Sequence, residues 1–155
     1  MNAISPPHPG RDAGLDLFLG LSRAQALLAD RLDDRLGTLH GIGSGDFQLL
    51  RHLDEAPQGR LRCAELAERV SLSPSSVARS LQPLEKIGLV ARQPDPRDAR
   101  LSYAVLTPAG KALLPAAVET ARLVCRRALA AAPAEQLTAL AAALIQIAGP
   151  GTEPA

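Results

Sequence analysis

The chain has 155 residues, 46% of them hydrophobic and 21% charged, with a formal net charge of +1. That length fits one compact domain with a core of its own, and the apolar content excludes an intrinsically disordered chain. No apolar run approaches the ~20 residues that cross a bilayer. The polar, proline-rich start lacks the basic end and apolar centre of a signal peptide, so a cytoplasmic protein with no membrane partner is expected.

Residues 1–11 carry Pro6, Pro7, Pro9 and Gly10 and read as a disordered tail, as do residues 149–155 at the other end. Between them, residues 12–148 read as one domain. From Asp12 to Leu36 the residues Leu15, Phe18, Leu21, Leu28, Leu32 and Leu36 recur at helical spacing, with Asp30, Arg31, Asp33, Asp34 and Arg35 as the solvated face. The four glycines from Gly37 to Gly45 are expected to break this helix. They lack the spacings of a phosphate-binding loop. Ser44 or Asp46 caps a second helix from Phe47 to about Glu55, which buries Phe47, Leu50 and Leu53.

Ala56-Pro57-Gln58-Gly59 reads as a turn, and a third helix covers roughly Arg62 to Val70 with Leu66, Ala67 and Val70 inward. Only Ser71 and Leu72 precede the next N-cap, Ser73, and Pro74 follows at the first helical position, where its missing N–H costs nothing. Val77, Leu81 and Leu84 share one face of this fourth helix, and Gly88 ends it. Two short helices joined by a tight turn form a helix-turn-helix. Ser73, Ser75, Ser76, Arg79 and Gln82 lie at the cap or on the outward face of the second. Short polar side chains let a backbone approach DNA, and an arginine one turn on can take guanine O6 and N7 together. The alternative is a solvated helix face.

Leu89 to Arg92 reads as a short strand, Gln93 to Asp98 as a polar turn, and Arg100 to Leu106 as a second strand with Leu101, Tyr103 and Val105 on one side. A hairpin directly after a recognition helix is a wing. Its tip places Arg97, with Arg92 and Arg100 on the flanking strands, near a minor groove that attracts arginine when narrow. The charge distribution agrees: from Arg60 to Lys111 there are nine Lys/Arg against five acids, net +4, while the rest has eight against eleven, net −3. Thr107 caps and Pro108 opens a long helix to about Ala131, with a bend expected at Pro115. After Pro133, Leu137, Leu140, Leu144 and Ile147 form an apolar seam with no partner in the winged unit. With the first helix, it is expected to pair with a second copy.

The runs Leu66-Ala67-Glu68-Arg69-Val70, Ser73-Pro74-Ser75-Ser76-Val77, Leu84-Glu85-Lys86-Ile87-Gly88-Leu89-Val90, Asp95-Pro96-Arg97-Asp98-Ala99-Arg100 and Leu106-Thr107-Pro108-Ala109-Gly110, in this order and spacing, resemble the MarR family of bacterial regulators. The resemblance covers about Leu15 to Ile147. It implies a mainly α fold with a small β-hairpin wing: a winged helix-turn-helix over residues 44–106, and dimerisation helices over 12–36 and 108–148. It implies a homodimer that binds double-stranded DNA at a pseudo-palindromic operator, most simply as a repressor. Asp98 and Arg100 would brace the wing and Arg97 would be its tip. A pocket for a small aromatic or anionic effector is implied near His40, Phe47 and His52. Two departures stand out: Ser71 where glycine is usual, and Pro83 inside the recognition helix, where proline crowds the carbonyl of Arg79 and bends the helix.

Catalysis finds no support. His8, His40 and His52 are the only histidines, and His40, Asp46 and His52 lack the spacing of a metal site. No serine stands in a nucleophile-elbow motif, and no cofactor is called for. Cys63 and Cys125 have neither CxxC nor zinc spacing. Two alternatives accompany the regulator reading: a thiol-based redox sensor using one of these cysteines, and a winged-helix protein-interaction module that never touches DNA.

Overall fold

In the structure, a computed structural model that describes residues 12–148, helix α1 runs Ala13–His40. The tails expected at 1–11 and 149–155 lie outside the described residues. The Asp12 carboxylate caps α1 by accepting from the backbone N–H of Gly14 and Leu15. The helix continues four residues past Leu36, because Gly37 alone does not break it. It stops at Gly41, whose φ of 70° is the left-handed conformation that closes a helix. His40 therefore belongs to the last turn of α1 and not to a loop.

Helix α2 is Ser44–Glu55. It starts three residues before Phe47, with Gly43 at the N-cap. Asp46 accepts from the Gly43 N–H at 2.9 Å, and Asp33 of α1 accepts from the Ser44 N–H at 2.5 Å. The Ser44 N–H bond holds the Asp33 carboxyl below its usual value. Leu49, Leu50 and Leu53 are buried, while Phe47 is only half-buried. A 3₁₀ turn at Pro57–Gly59 leads into strand β1, Arg60–Arg62, where the sequence reading has only the end of a turn and the start of a helix.

Helices α3 (Cys63–Val70) and α4 (Pro74–Lys86) meet through Ser71, which takes the left-handed conformation with φ 53°. A glycine is free to adopt that conformation; serine adopts it at some cost. The turn is closed by Leu72 N–H donating to the Ala67 carbonyl at 3.0 Å. Helix α4 runs unbroken through Pro83, which lies in its last turn on the exposed side, past Ser75, Ser76 and Arg79.

Strands β2 (Val90–Pro94) and β3 (Ser102–Leu106) form the wing, and β1 joins β3 to give an antiparallel sheet of order β1-β3-β2. The turn is shorter than expected. Gln93 and Pro94 belong to the ladder opposite Tyr103 and Ser102, and Pro94 ends the strand, where a missing N–H is tolerated. The sheet's core face is Leu61, Val90, Ala104 and Leu106. Leu101, Tyr103 and Val105 belong to the other parity, which faces outward.

Helices α5 (Pro108–Ala128) and α6 (Ala134–Ala148) complete the chain. Pro115 lies on the exposed side of α5, and the helix continues through it. Helix α1 packs against α5 and α2. Its stripe divides: Leu36 is buried and Leu28 and Leu32 half-buried, but Leu15, Phe18 and Leu21 stand in solvent, Phe18 at 63% exposure. Helix α6 has no fully buried residue: Leu137 and Leu144 are half-buried, and Ile147 is 68% exposed.

Candidate nucleic-acid interface

Two elements converge to make the interface. The first is the N-terminal half of α4. Ser73 accepts the Ser76 N–H at 3.2 Å and lies within hydrogen-bond distance of the Ser75 and Ser76 hydroxyls, at 3.1 and 2.8 Å. The cap is thus a cluster of three hydroxyls at the positive end of a helix. Arg79 is exposed and lies back along α4, with one guanidinium nitrogen 3.4 Å from the Ser76 hydroxyl. Gln82 is exposed one turn further on.

The second is the wing, and its organising residue, Asp95, stands in what the sequence pattern marks only as a polar turn. Asp95 is 8% exposed. One carboxylate oxygen accepts the backbone N–H of Arg97 at 2.8 Å and of Asp98 at 3.3 Å. The other accepts from the Tyr103 hydroxyl and from the Arg62 guanidinium, each at 3.0 Å. Four donors, led by the Arg97 N–H, hold its carboxyl down to about 2 against the opposing effect of burial. Asp95 therefore ties the wing tip to both β3 and β1. Its sequence signal was an Asp-Pro pair two residues before the expected tip, the pattern of a side chain that bonds its own turn.

Arg97 emerges from that turn exposed, and its guanidinium has no partner among the described residues. Asp98 holds Arg100 through the Arg100 backbone N–H at 3.0 Å and Nε at 3.2 Å. Arg92 has partners within the fold. It donates to Glu85 of α4 at 2.6 Å and to the Cys63 sulfur at 3.2 Å, which stitches the wing to the end of α4 and the start of α3. The wing is locked to the core at its base. Thr107 caps α5 by accepting the Gly110 N–H at 3.1 Å, and donates to the Gly88 carbonyl at 2.6 Å. Gly110 packs so closely that an added Cβ would meet the Leu89 carbonyl oxygen at 2.4 Å.

The three residues expected around an effector have different surroundings. His40 is within 2.8 Å of the Thr120 hydroxyl on α5. His52 is half-buried on α2, where burial pushes its imidazole below the usual value and Glu55 opposes the shift. Phe47 packs against the core. None of the three lines either of two clefts beside α1. The first, about 420 Å³, lies between α1 and α5 and is lined by Arg31, Arg35 and Arg127, by the carboxylates of Asp30 and Asp34, and by Thr120. The second, about 520 Å³, is an apolar groove between α1 and α6 that includes Leu21, Leu28, Leu137 and Leu144. Among the described residues there is no group of acidic, histidine and cysteine side chains that could hold a metal, and no helix long and apolar enough to cross a membrane.

This geometry has close parallels. The profile of the MarR family matches residues 44–102. An uncharacterized HTH-type transcriptional regulator of Bacillus subtilis is 38% identical over 92 residues, which are 59% of this chain and 61% of that relative, a little under two thirds of its length. An HTH-type transcriptional repressor of Mycobacterium bovis is 34% identical over 116 residues, 75% of this chain and 81% of the relative. Among solved structures, a MarR family transcriptional regulator from Streptomyces coelicolor in complex with DNA superposes with a TM-score of 0.77 at 29% identity, covering 92% of this chain and 91% of its own.

Proposed function

Because this chain belongs to the MarR family of transcriptional regulators, we propose that it is a cytoplasmic, non-enzymatic repressor that binds a pseudo-palindromic operator as a homodimer. The observation that carries the reading is the pairing of an exposed Arg79 on a serine-capped helix with an unpartnered Arg97 on a wing tip anchored by Asp95. Ser75, Ser76, Arg79 and Gln82 enter the major groove, and Arg97, with Arg100 beside it, reaches the adjacent minor groove. The Ser73 cap offers its helix end to a phosphate. Arg92 serves the wing's attachment instead of the DNA. The DNA-bound Streptomyces relative supports this mode of binding. A free, rigidly presented arginine at the tip favours DNA over a protein-docking wing, which has no need of an uncompensated cation there.

The dimer is formed by the exposed apolar half of α1 and by α6, whose apolar side chains stay exposed or only half-covered within one protomer. A small anionic effector fits the α1–α5 cleft better than the neighbourhood of Phe47. The cleft has the size of a ligand site. Arg31, Arg35 and Arg127 outnumber the Asp30 and Asp34 carboxylates in its lining, and Thr120 connects it to His40.

The test is a gel shift with DNA from the region upstream of the chain's own coding sequence, run with excess mixed-sequence competitor. A retarded band that survives competitor is expected. Its loss at the same competitor level as a scrambled duplex would overturn sequence-specific binding.

A further inference from the structure

Arg60 and Arg62 flank the buried Leu61 on β1, so both side chains rise from the outer face of the sheet. Tyr103 lies opposite Arg62 on β3, and both guanidinium groups cover its ring, Arg60 at 4.7 Å and Arg62 at 5.4 Å from the centroid. Their charges are met differently. Arg62 is answered by the Asp95 carboxylate at 3.0 Å. Arg60 has no carboxylate partner among the described residues. It donates to the neutral Gln93 Oε1 at 3.3 Å.

A guanidinium carries five N–H donors in a fixed fork. In Arg60 the ring covers one face and Gln93 takes one donor, which leaves the other donors and the whole positive charge available. Stacking also fixes the side chain in advance, so little rotamer freedom remains to be lost on binding. An ordered, uncompensated arginine is the arrangement that grips a phosphate. Its place is on the flank of the wing. Arg60 is in register with Val105 and, across β3, with Ala91. That is one same-face step, ~7 Å, from the Gln93–Tyr103 rung beneath the anchored tip. We propose that Arg60 is a sequence-independent clamp for a backbone phosphate next to the groove entered by the wing tip. The proposal rests on the DNA-binding reading above.

The experiment measures affinity as a function of salt for the full chain, on a 30-base-pair duplex from the region upstream of its own coding sequence. The parent is compared with Arg60→Gln, which keeps the stem but drops the charge, with Arg60→Lys, and with Arg97→Ala. Thermal melting of each variant reports folding. Each lost phosphate contact lowers the slope of log affinity against log salt by about 0.9. Arg60→Gln is expected to lower it by about two for a dimer, and Arg60→Lys to restore it. An Arg60→Gln variant with the parent's affinity and slope, alongside an Arg97→Ala variant that loses both, would overturn the clamp and leave the wing-tip reading intact. A parent that binds no duplex at any salt would overturn the reading on which the clamp rests.

Discussion

Gly110 shows how one residue controls the wing without facing DNA. It lies in the first turn of α5 against the Leu89 carbonyl oxygen, which is backbone and cannot rotate away from an added methyl group. Gly110→Ala is expected to destabilise the fold by about 1–3 kcal/mol, read as a lower denaturant midpoint with an unchanged slope. Asp95 acts through charge. Its carboxyl is held at about 2 in the fold, led by the Arg97 N–H, against an ordinary value of 3.8. A depressed carboxyl stabilises the fold above its unfolded value and loses that contribution as pH falls through its folded one. The stability advantage of the parent over Asp95→Asn should therefore be constant from pH 8 to 5 and shrink as pH falls from about 4 towards 2. An advantage that changes between pH 8 and 5 would assign it to another group. Residue-level roles were legible only where a local rule applies. Ser73 and Thr107 as caps and Arg97 as the tip follow from short-range patterns. Asp95 meeting Arg62 across 33 positions follows only from the pairing of β1 with β3.

At the level of elements, α4 and the wing were readable because caps and breakers mark their ends. Ser73-Pro74 opens α4 and Gly88 follows it. Strand β1 was not readable. Three residues, Arg60–Arg62, are too few for an alternation to register, and the strand exists because β3 offers it an edge. The end of α1 was misplaced for a related reason: a single glycine costs a helix only about 1 kcal/mol, and packing on α5 carries the helix past Gly37 to Gly41. Pro83 was expected to bend α4 where it reads DNA. It lies in the last turn, and α4 stays helical from Pro74 to Lys86 through it. Arg79→Ala should accordingly cost about 1–3 kcal/mol of discrimination at one base pair per half-site, measured by competition between duplexes altered at single positions. Equal weakening across all duplexes would make Arg79 a phosphate contact.

Across the whole molecule, apolar surface is distributed unevenly. The core joins α2, α3, α4, α5, the sheet and the C-terminal end of α1, whereas the other end of α1 is exposed and α6 has no buried residue. Because α6 contributes no residue to the core of its own protomer, removing residues 133–155 should leave the winged unit folded while abolishing the dimer, as seen by sedimentation. A truncated chain that still sediments as a dimer would move the interface elsewhere. The central claim is that two copies present two recognition helices to one duplex, and selection of binding sites from a random-sequence DNA pool by the full chain tests it most directly. The account predicts an enriched inverted repeat with half-sites about one helical turn apart, 10–10.5 base pairs centre to centre or a multiple of it. Enrichment of a single unrepeated half-site, or no enrichment over input, would contradict it.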